Sequence, residues 1–152
     1  MNKKISLRRA TIRDASTLLD WRNDPETRKS SHNVSEVNKE EHVSWLTAQL
    51  ENSKCRIYVA EQNGVPIGTV RADYSGGVWE LSWTTAPSAR GKGVAKRMVA
   101  ILARLICDPI RAEVKVGNVA SARIAENAGM ELINEVEGIL HYGRGMLKNE
   151  KS

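Results

Sequence analysis

A strand-like apolar run, Val78–Thr85, leads into a glycine turn that opens a long helical pattern, and this junction constrains the fold more than any other stretch. The turn reads Pro87-Ser88-Ala89-Arg90-Gly91-Lys92-Gly93-Val94-Ala95. A strand ending in such a turn at a helix N-terminus is a ready anion site. The first backbone N–H groups of a helix have no intrahelical partner, the helix dipole adds partial positive charge, and missing side chains let a phosphate come close. Arg90 and Lys92 add formal charge at the same place. The turn is not a Walker loop, because Gly-Lys is not followed by Ser or Thr, and it is not Gly-x-Gly-x-x-Gly.

Around this junction the chain alternates between short elements. Residues 5–10 read as a first strand, and Thr11 or Asp14 caps a helix through Leu18, Leu19 and Trp21 that stops near Asn23-Asp24-Pro25. Residues 26–37 are polar and irregular and read as a loop. A helix is expected over 38–52, with Val43, Leu46 and Leu50 on one face. Strands follow at 56–60, 65–71 and 78–85, separated by turns at Asn63-Gly64 and Gly76-Gly77. A helix over 91–106 carries Val94, Met98, Ile101, Leu102 and Leu105 at helical spacing and stops at Asp108-Pro109. A strand at 112–116, a helix at 119–128 with Gly129 past its end, and strands at 130–133 and 139–147 complete the chain.

At 152 residues the chain suits one domain, 1–152, with a real core. No apolar run approaches membrane-spanning length and none follows Lys3 and Lys4, so a cytoplasmic protein with no membrane contact is expected. Cys55 and Cys107 lie far apart and match no metal spacing, so reduced thiols and no metal are expected. The net charge of +5 is scattered between the first residues, including Arg8, Arg9 and Arg13, and the stretch from Arg90 to Arg104. Nucleic-acid binding calls for a denser basic stripe or aromatic stacking platforms, so no nucleic-acid partner is expected. A moderate positive balance suits an anionic cofactor or substrate.

The segment Arg90-Gly91-Lys92-Gly93-Val94-Ala95 resembles the acyl-CoA pyrophosphate loop of the GNAT N-acetyltransferase superfamily, Arg/Gln-x-x-Gly-x-Gly/Ala. Downstream, Glu113-Val-Lys-Val-Gly-Asn118-Val-Ala-Ser121 followed by Ala128-Gly129-Met130 resembles the family's second signature, with Met130 in place of the usual aromatic. The order of elements is similar to that family's over nearly the whole chain. The resemblance implies an α/β (α+β) fold: a central mixed, mostly antiparallel seven-stranded sheet, about four helices, and splayed fourth and fifth strands. It implies direct attack of a primary amine on the thioester of acetyl-CoA. Arg90, Gly91, Lys92, Gly93, Val94 and Ala95 would hold the pyrophosphate. Backbone groups of Trp83, Thr84 and Thr85 would meet the oxyanion and pantetheine, and Asn118 and Ser121 the pantetheine arm. As a residue, Asn118 also reads as an N-cap whose side-chain oxygen accepts the N–H of Ser121, and the two roles are compatible.

The chemistry sets its own demands. An ammonium must lose a proton before it attacks, an oxyanion needs donors, and the reactants must be held at attack distance. Glu80 and Glu113 are the two candidate bases, since the splayed strands would bring either to the cleft. Each also reads as a solvated or ion-paired strand carboxylate. Many relatives carry a Tyr that protonates the departing thiolate, and its place here is Ala125. Tyr142, His141 or a water remain as donors. The missing Tyr also suits a non-catalytic acyl-CoA-binding module.

For the acceptor, Arg22-Asn23 with Glu41-His42-x-x-Trp45 is similar to the GNAT enzymes of bacterial surface-sugar pathways, of the pseudaminic-acid type. That likeness implies a nucleotide-linked amino sugar as acceptor, with Arg22, Arg28 and Lys29 on a diphosphate, Trp21 or Trp45 stacked on a ring, and Asn23, His42 and Tyr142 nearby. Against it, Trp21 and Trp45 read as core anchors, and His32 and His42 as surface or hydrogen-bonded residues. The stretch from Glu113 to Asn118 resembles ribosomal-protein alanine acetyltransferases, which makes a protein N-terminus the alternative acceptor. Many relatives pair, so a homodimer is possible.

Overall fold

A computed structural model describes residues 4–146. The alternating runs fold as strands β1 (Ser6–Arg9), β2 (Cys55–Gln62), β3 (Val65–Ser75), β4 (Val78–Thr85), β5 (Ile110–Lys115), β6 (Glu131–Val136) and β7 (Ile139–Arg144). They form one sheet in the order β1-β2-β3-β4-β5-β7-β6. Every neighbouring pair is antiparallel except β4 with β5, which run parallel. Asn63-Gly64 and Gly76-Gly77 all take positive φ, the left-handed geometry a two-residue hairpin turn needs. The last strand ends at Arg144, and its expected limit, Leu147, lies outside the described residues.

Among the described residues, five helices flank the sheet: α1 (Ala15–Asn23), α2 (Pro25–Ser30), α3 (Lys39–Leu50), α4 (Val94–Leu105) and α5 (Val119–Asn127). A 3-10 turn over Ile12–Asp14 precedes α1, where Thr11 and Asp14 cap each other's backbone in a capping box. Two expectations are corrected here. Residues 26–37 are not a loop throughout, because α2 occupies their first part. The Asp24 carboxylate accepts the N–H groups of Glu26 and Thr27, and Pro25 fills the first helical position with its fixed φ. The helix expected from 91 starts at Val94, because Gly91 and Gly93 sit at φ 77° and 74°, outside helical space.

On one face of the sheet, α4 places Met98, Val99 and Leu102 wholly out of solvent, each worth about 1.5–3 kcal/mol of burial. It comes so close that a Cβ on Gly68 of β3 would lie 2.9 Å from Met98 Sδ. On the other face α3 buries His42 and Leu46, and α1 buries Leu18 and Trp21. The cross-strand register Ile57↔Arg71↔Ser82 sets these three side chains on that second face. At the end of α5 the N–H of Met130 reaches the Ala125 carbonyl at 3.1 Å and that of Gly129 the Glu126 carbonyl at 3.0 Å, a Schellman closure with Gly129 at φ 94°. Among the described residues, no helix is long and apolar enough to cross a membrane.

Candidate active site

Strands β4 and β5 pair only at Trp79↔Ile110 and Glu80↔Arg111. Past that point β4 stays with β3 and β5 stays with β7, so the two part company. Their facing edges then carry backbone N–H and C=O groups with no strand opposite, which a ligand's amides can satisfy. The gap is a cavity of about 670 Å³ that cuts between Ser82, Trp83, Thr84 and Thr85 on one side and Glu113, Val114 and Lys115 on the other.

The glycine turn closes one end of this gap. Nothing lies within 4 Å of where a Cβ on Gly91 or Gly93 would stand, so the space over the turn is open. Gly93 is the N-cap of α4 and offers no side-chain oxygen, which leaves the first-turn amides free to meet an anion. These features fit the pyrophosphate of CoA. Arg90 is engaged elsewhere: its guanidinium pairs with the Asp24 carboxylate and donates to Thr27 Oγ1 at 3.2 Å. Arg90, more than the helix N–H groups that Asp24 also caps, holds that carboxyl below the usual range.

Helix α2 is tied to both sides of the gap. Arg90 grips its N-terminal end from the turn. At its C-terminal end, Lys115 Nζ donates to the carbonyls of Lys29 (3.1 Å) and Ser31 (2.7 Å), and Asn118 Nδ2 donates to Ser30 Oγ (3.3 Å). A lysine on the last carbonyls of a helix also meets the negative end of its dipole.

The two candidate bases have different company. Glu80 lies 3.2 Å from Arg111, its register partner on β5, and is neutralised by a permanent cation. Glu113 faces two histidines instead: His32 Nε2 at 3.1 Å from Oε1 and His141 Nδ1 at 3.9 Å from Oε2.

A second cavity, of about 410 Å³, lies under α1 and α3. Leu18, Ile57, Trp45 and Trp83 make its apolar wall, and Arg22 and His42 add polar atoms. Arg71, Ser82 and Trp83 line both cavities, so the two meet at the middle of β4. Arg71 stands over the Trp45 ring at 5.2 Å and bonds to Asp73 at 2.7 Å. Arg22 Nη2 donates to the Asn33 carbonyl at 2.7 Å, while Nη1 is buried with no partner. Burial lowers the His42 pKa, the Ala15 backbone works against that fall, and the charge of Arg22 adds to it. The Ala15 contact favours the charged ring, so a ring nitrogen donates there, and Nε2 is left buried and unpartnered.

The profile of the acetyltransferase (GNAT) domain matches residues 4–131 of this chain. The chain belongs to the GNAT acetyltransferase family. It is accordingly an N-acetyltransferase that draws on acetyl-CoA. Solved structures share the fold. An aminoglycoside acetyltransferase in complex with coenzyme A is 21% identical, with 93% of this chain and 94% of that one covered and a TM-score of 0.79. The spermidine N-acetyltransferase of Vibrio cholerae, in complex with CoA and spermine, is 17% identical over 92% and 94%, at a TM-score of 0.81. A ribosomal-protein-alanine N-acetyltransferase from Brucella melitensis is 23% identical over 91% and 98%, at 0.75. No curated protein sequence matches the chain.

In this acetyltransferase the expected CoA residues sit together. Trp83, Thr84, Thr85, Arg90, Ala95, Asn118 and Ser121 line the gap, and Gly91, Lys92, Gly93 and Val94 form the turn and helix start beside it. Asn118 caps α5, accepting the Ser121 N–H at 3.1 Å. Glu80 and Glu113 also line the gap. Of the expected acceptor residues, Arg22, His42 and Trp45 line the second cavity. Asn23 and Tyr142 line neither. The Asn23 amide is used on the Val37 backbone, donating and accepting at 2.8 Å. Tyr142 is buried on β7 opposite Ala112, and burial, with a lesser effect of Glu126, raises its pKa, so its proton is harder to release. Trp21 is a core residue, and Lys29 pairs with Glu26 at 3.3 Å. Among the described residues, no cluster of His, Cys, Asp or Glu is arranged to hold a metal. Arg71, Arg111 and Lys115 carry no signal in the sequence, and His32 reads there only as a surface or hydrogen-bonded residue and Asp24 only as part of a helix stop, because each gains its meaning from a partner on another element.

Proposed function

We propose that the enzyme transfers the acetyl group of acetyl-CoA to an amino group on a nucleotide-linked sugar. The meeting of the two cavities at Ser82 and Trp83 carries this reading. A donor lying in the β4–β5 gap and an amine entering from beneath α3 converge there, which supplies the proximity that acyl transfer needs. Acetyl-CoA brings the acetyl group as a thioester with an electrophilic carbonyl. The amides of the Gly91–Gly93 turn and α4 receive the pyrophosphate, and the open edges of β4 and Asn118 receive the pantetheine amides. Free backbone N–H groups near Trp83 stabilise the oxyanion. The amine loses its proton toward the Glu113 side of the gap.

The acceptor pocket favours an anionic, ring-bearing molecule. Trp45 gives a flat face, and the unpartnered Arg22 Nη1 and the Arg71 guanidinium supply positive charge. A polyamine would meet those arginines with like charge. Acceptors are compared by CoA thiol release from one purified sample: UDP-linked amino sugars, spermidine, an aminoglycoside and an alanine-headed peptide. Release with the amino sugars alone or foremost is expected. Turnover of the peptide instead would make the chain a protein N-terminal acetyltransferase. Absence of heat on titration with acetyl-CoA would reject the donor site.

A further inference from the structure

We propose that His32 is the group that takes the proton from the acceptor amine, with Glu113 as the carboxylate that positions its ring. The inference rests on the acetyltransferase reading above and assigns the atom that reading leaves open.

His32 follows α2, whose ends are fastened to the phosphate turn and to β5, so the histidine is delivered to the gap from above. Its Nε2 lies 3.1 Å from Glu113 Oε1. In the neutral ring an Nε2–H donating to that carboxylate leaves the lone pair on Nδ1, ready to accept a proton. The ring lines the same gap as Ser82 and Trp83, and its side chain is 60% exposed, so solvent can carry the proton away. A carboxylate holding an imidazole by one nitrogen while the other takes a proton is the logic of acyl-transfer triads.

The surrounding charges single out this pair. Lys115 faces it from β5 but is spent on the Lys29 and Ser31 carbonyls. Glu80 is paired with Arg111, Asp73 with Arg71, Glu26 with Lys29, and Arg90 with Asp24. Glu113 has histidine partners only in the ion pairs of the described residues, the second being His141 on β7. Glu113 is therefore paired with titratable rings rather than with a permanent cation.

The step balances simply. An N–H bond of the ammonium breaks, its proton joins the Nδ1 lone pair, and the electron pair left on nitrogen forms the new N–C bond. The C–S pair leaves on sulfur, and the amine's second proton ends there. Protonated His32 returns its proton to solvent.

The test compares wild type, His32→Gln, His32→Ala and Glu113→Gln with a UDP-linked amino sugar as acceptor. His32→Gln is expected to lower kcat/KM about 10²–10⁴-fold and to abolish the acidic limb of the pH profile, with acetyl-CoA affinity unchanged. Added imidazole should restore part of the His32→Ala rate. Glu113→Gln should lower the rate while keeping the limb. Long-range ¹⁵N spectra of the free enzyme should report the Nε2–H tautomer for His32. A His32→Gln enzyme with wild-type rate and limb, or an Nδ1–H tautomer, overturns the proposal. If Glu113→Gln alone removes the limb, the carboxylate is the base and His32 is not. A wild type that releases no CoA with any amine fails at the preceding level, taking both readings with it.

Discussion

The guanidinium of Arg90, on the glycine turn, is ion-paired with the carboxylate of Asp24, 66 residues earlier at the N-cap of α2. The cation best placed to meet an incoming pyrophosphate is thus held by an anion that also starts the helix crossing the gap. In the proposed donor site, cofactor and Asp24 would compete for the same guanidinium, and occupancy of the phosphate site would be linked to the attachment of α2.

Removing either partner has opposite consequences for the cofactor. Arg90→Ala should raise the KM for acetyl-CoA about tenfold, the factor of one lost charge-assisted contact. Asp24→Asn keeps a good N-cap but drops the charge, so it should lower that KM. Steady-state kinetics at low ionic strength measures both. An unchanged KM in both variants removes Arg90 from the phosphate site.

His42 makes stability depend on pH. Its folded pKa lies below the ordinary 6.5, chiefly through burial. The unfolded chain therefore binds a proton first as pH falls, and stability drops from about pH 6.5 downward until the folded ring also protonates. Thermal midpoints between pH 8 and 5 should show this decline in wild type and a flatter curve in His42→Gln. Parallel curves would mean that the ring is not buried neutral.

Asp14 acts with the reverse sign. Arg8 grips its carboxylate by two bonds of 2.9 and 2.7 Å, and the Thr11 N–H donates to it at 2.8 Å. The Arg8 bonds lower its pKa most, burial opposes them, and Thr11 lowers it further. The resulting stability is present above the ordinary value of 3.8 and is lost as pH falls through the depressed one. Asp14→Ala should cost about 1–3 kcal/mol in urea unfolding at pH 7, because it removes two charge-assisted bonds from Arg8 and the capping contact with the Thr11 N–H. The gap to wild type should narrow in acid.

Gly68 links the core to the gap. A Cβ there would lie 2.9 Å from Met98 Sδ and 3.0 Å from the Thr84 carbonyl. The sulfur can swing aside, but the carbonyl belongs to β4. Gly68→Ala should cost about 1–3 kcal/mol and raise the KM for acetyl-CoA, since Thr84 must move. Wild-type stability with wild-type KM would refute the close approach.

Local chemistry made much of this legible in advance. The run from Val78 to Thr85 and the Asn63-Gly64 and Gly76-Gly77 turns name their strands and hairpins through side-chain pattern and left-handed φ alone. Asn118 announces itself as a cap, whereas the helical pattern read from Gly91 starts only after Gly93. The α2 signals, Asp24 then Pro25, were also in plain view, but a six-residue polar helix has no apolar stripe to reveal it. Tyr142 was misplaced because strand alternation says that neighbours face opposite ways without saying which face is inside; β7 turns His141 toward Glu113 and Tyr142 to the core.

The amino-acid sequence by itself determined the elements, their caps and turns, and the anion-binding junction, because these follow from interactions between residues a few positions apart. Only the tertiary structure decided which charges meet. Arg90 reaches Asp24, Glu80 reaches Arg111, and Glu113 lies between His32 and His141 because the sheet order and the parting of β4 from β5 set distant segments side by side. An ion pair needs its partners within about 4 Å, and no local pattern fixes that distance across the chain.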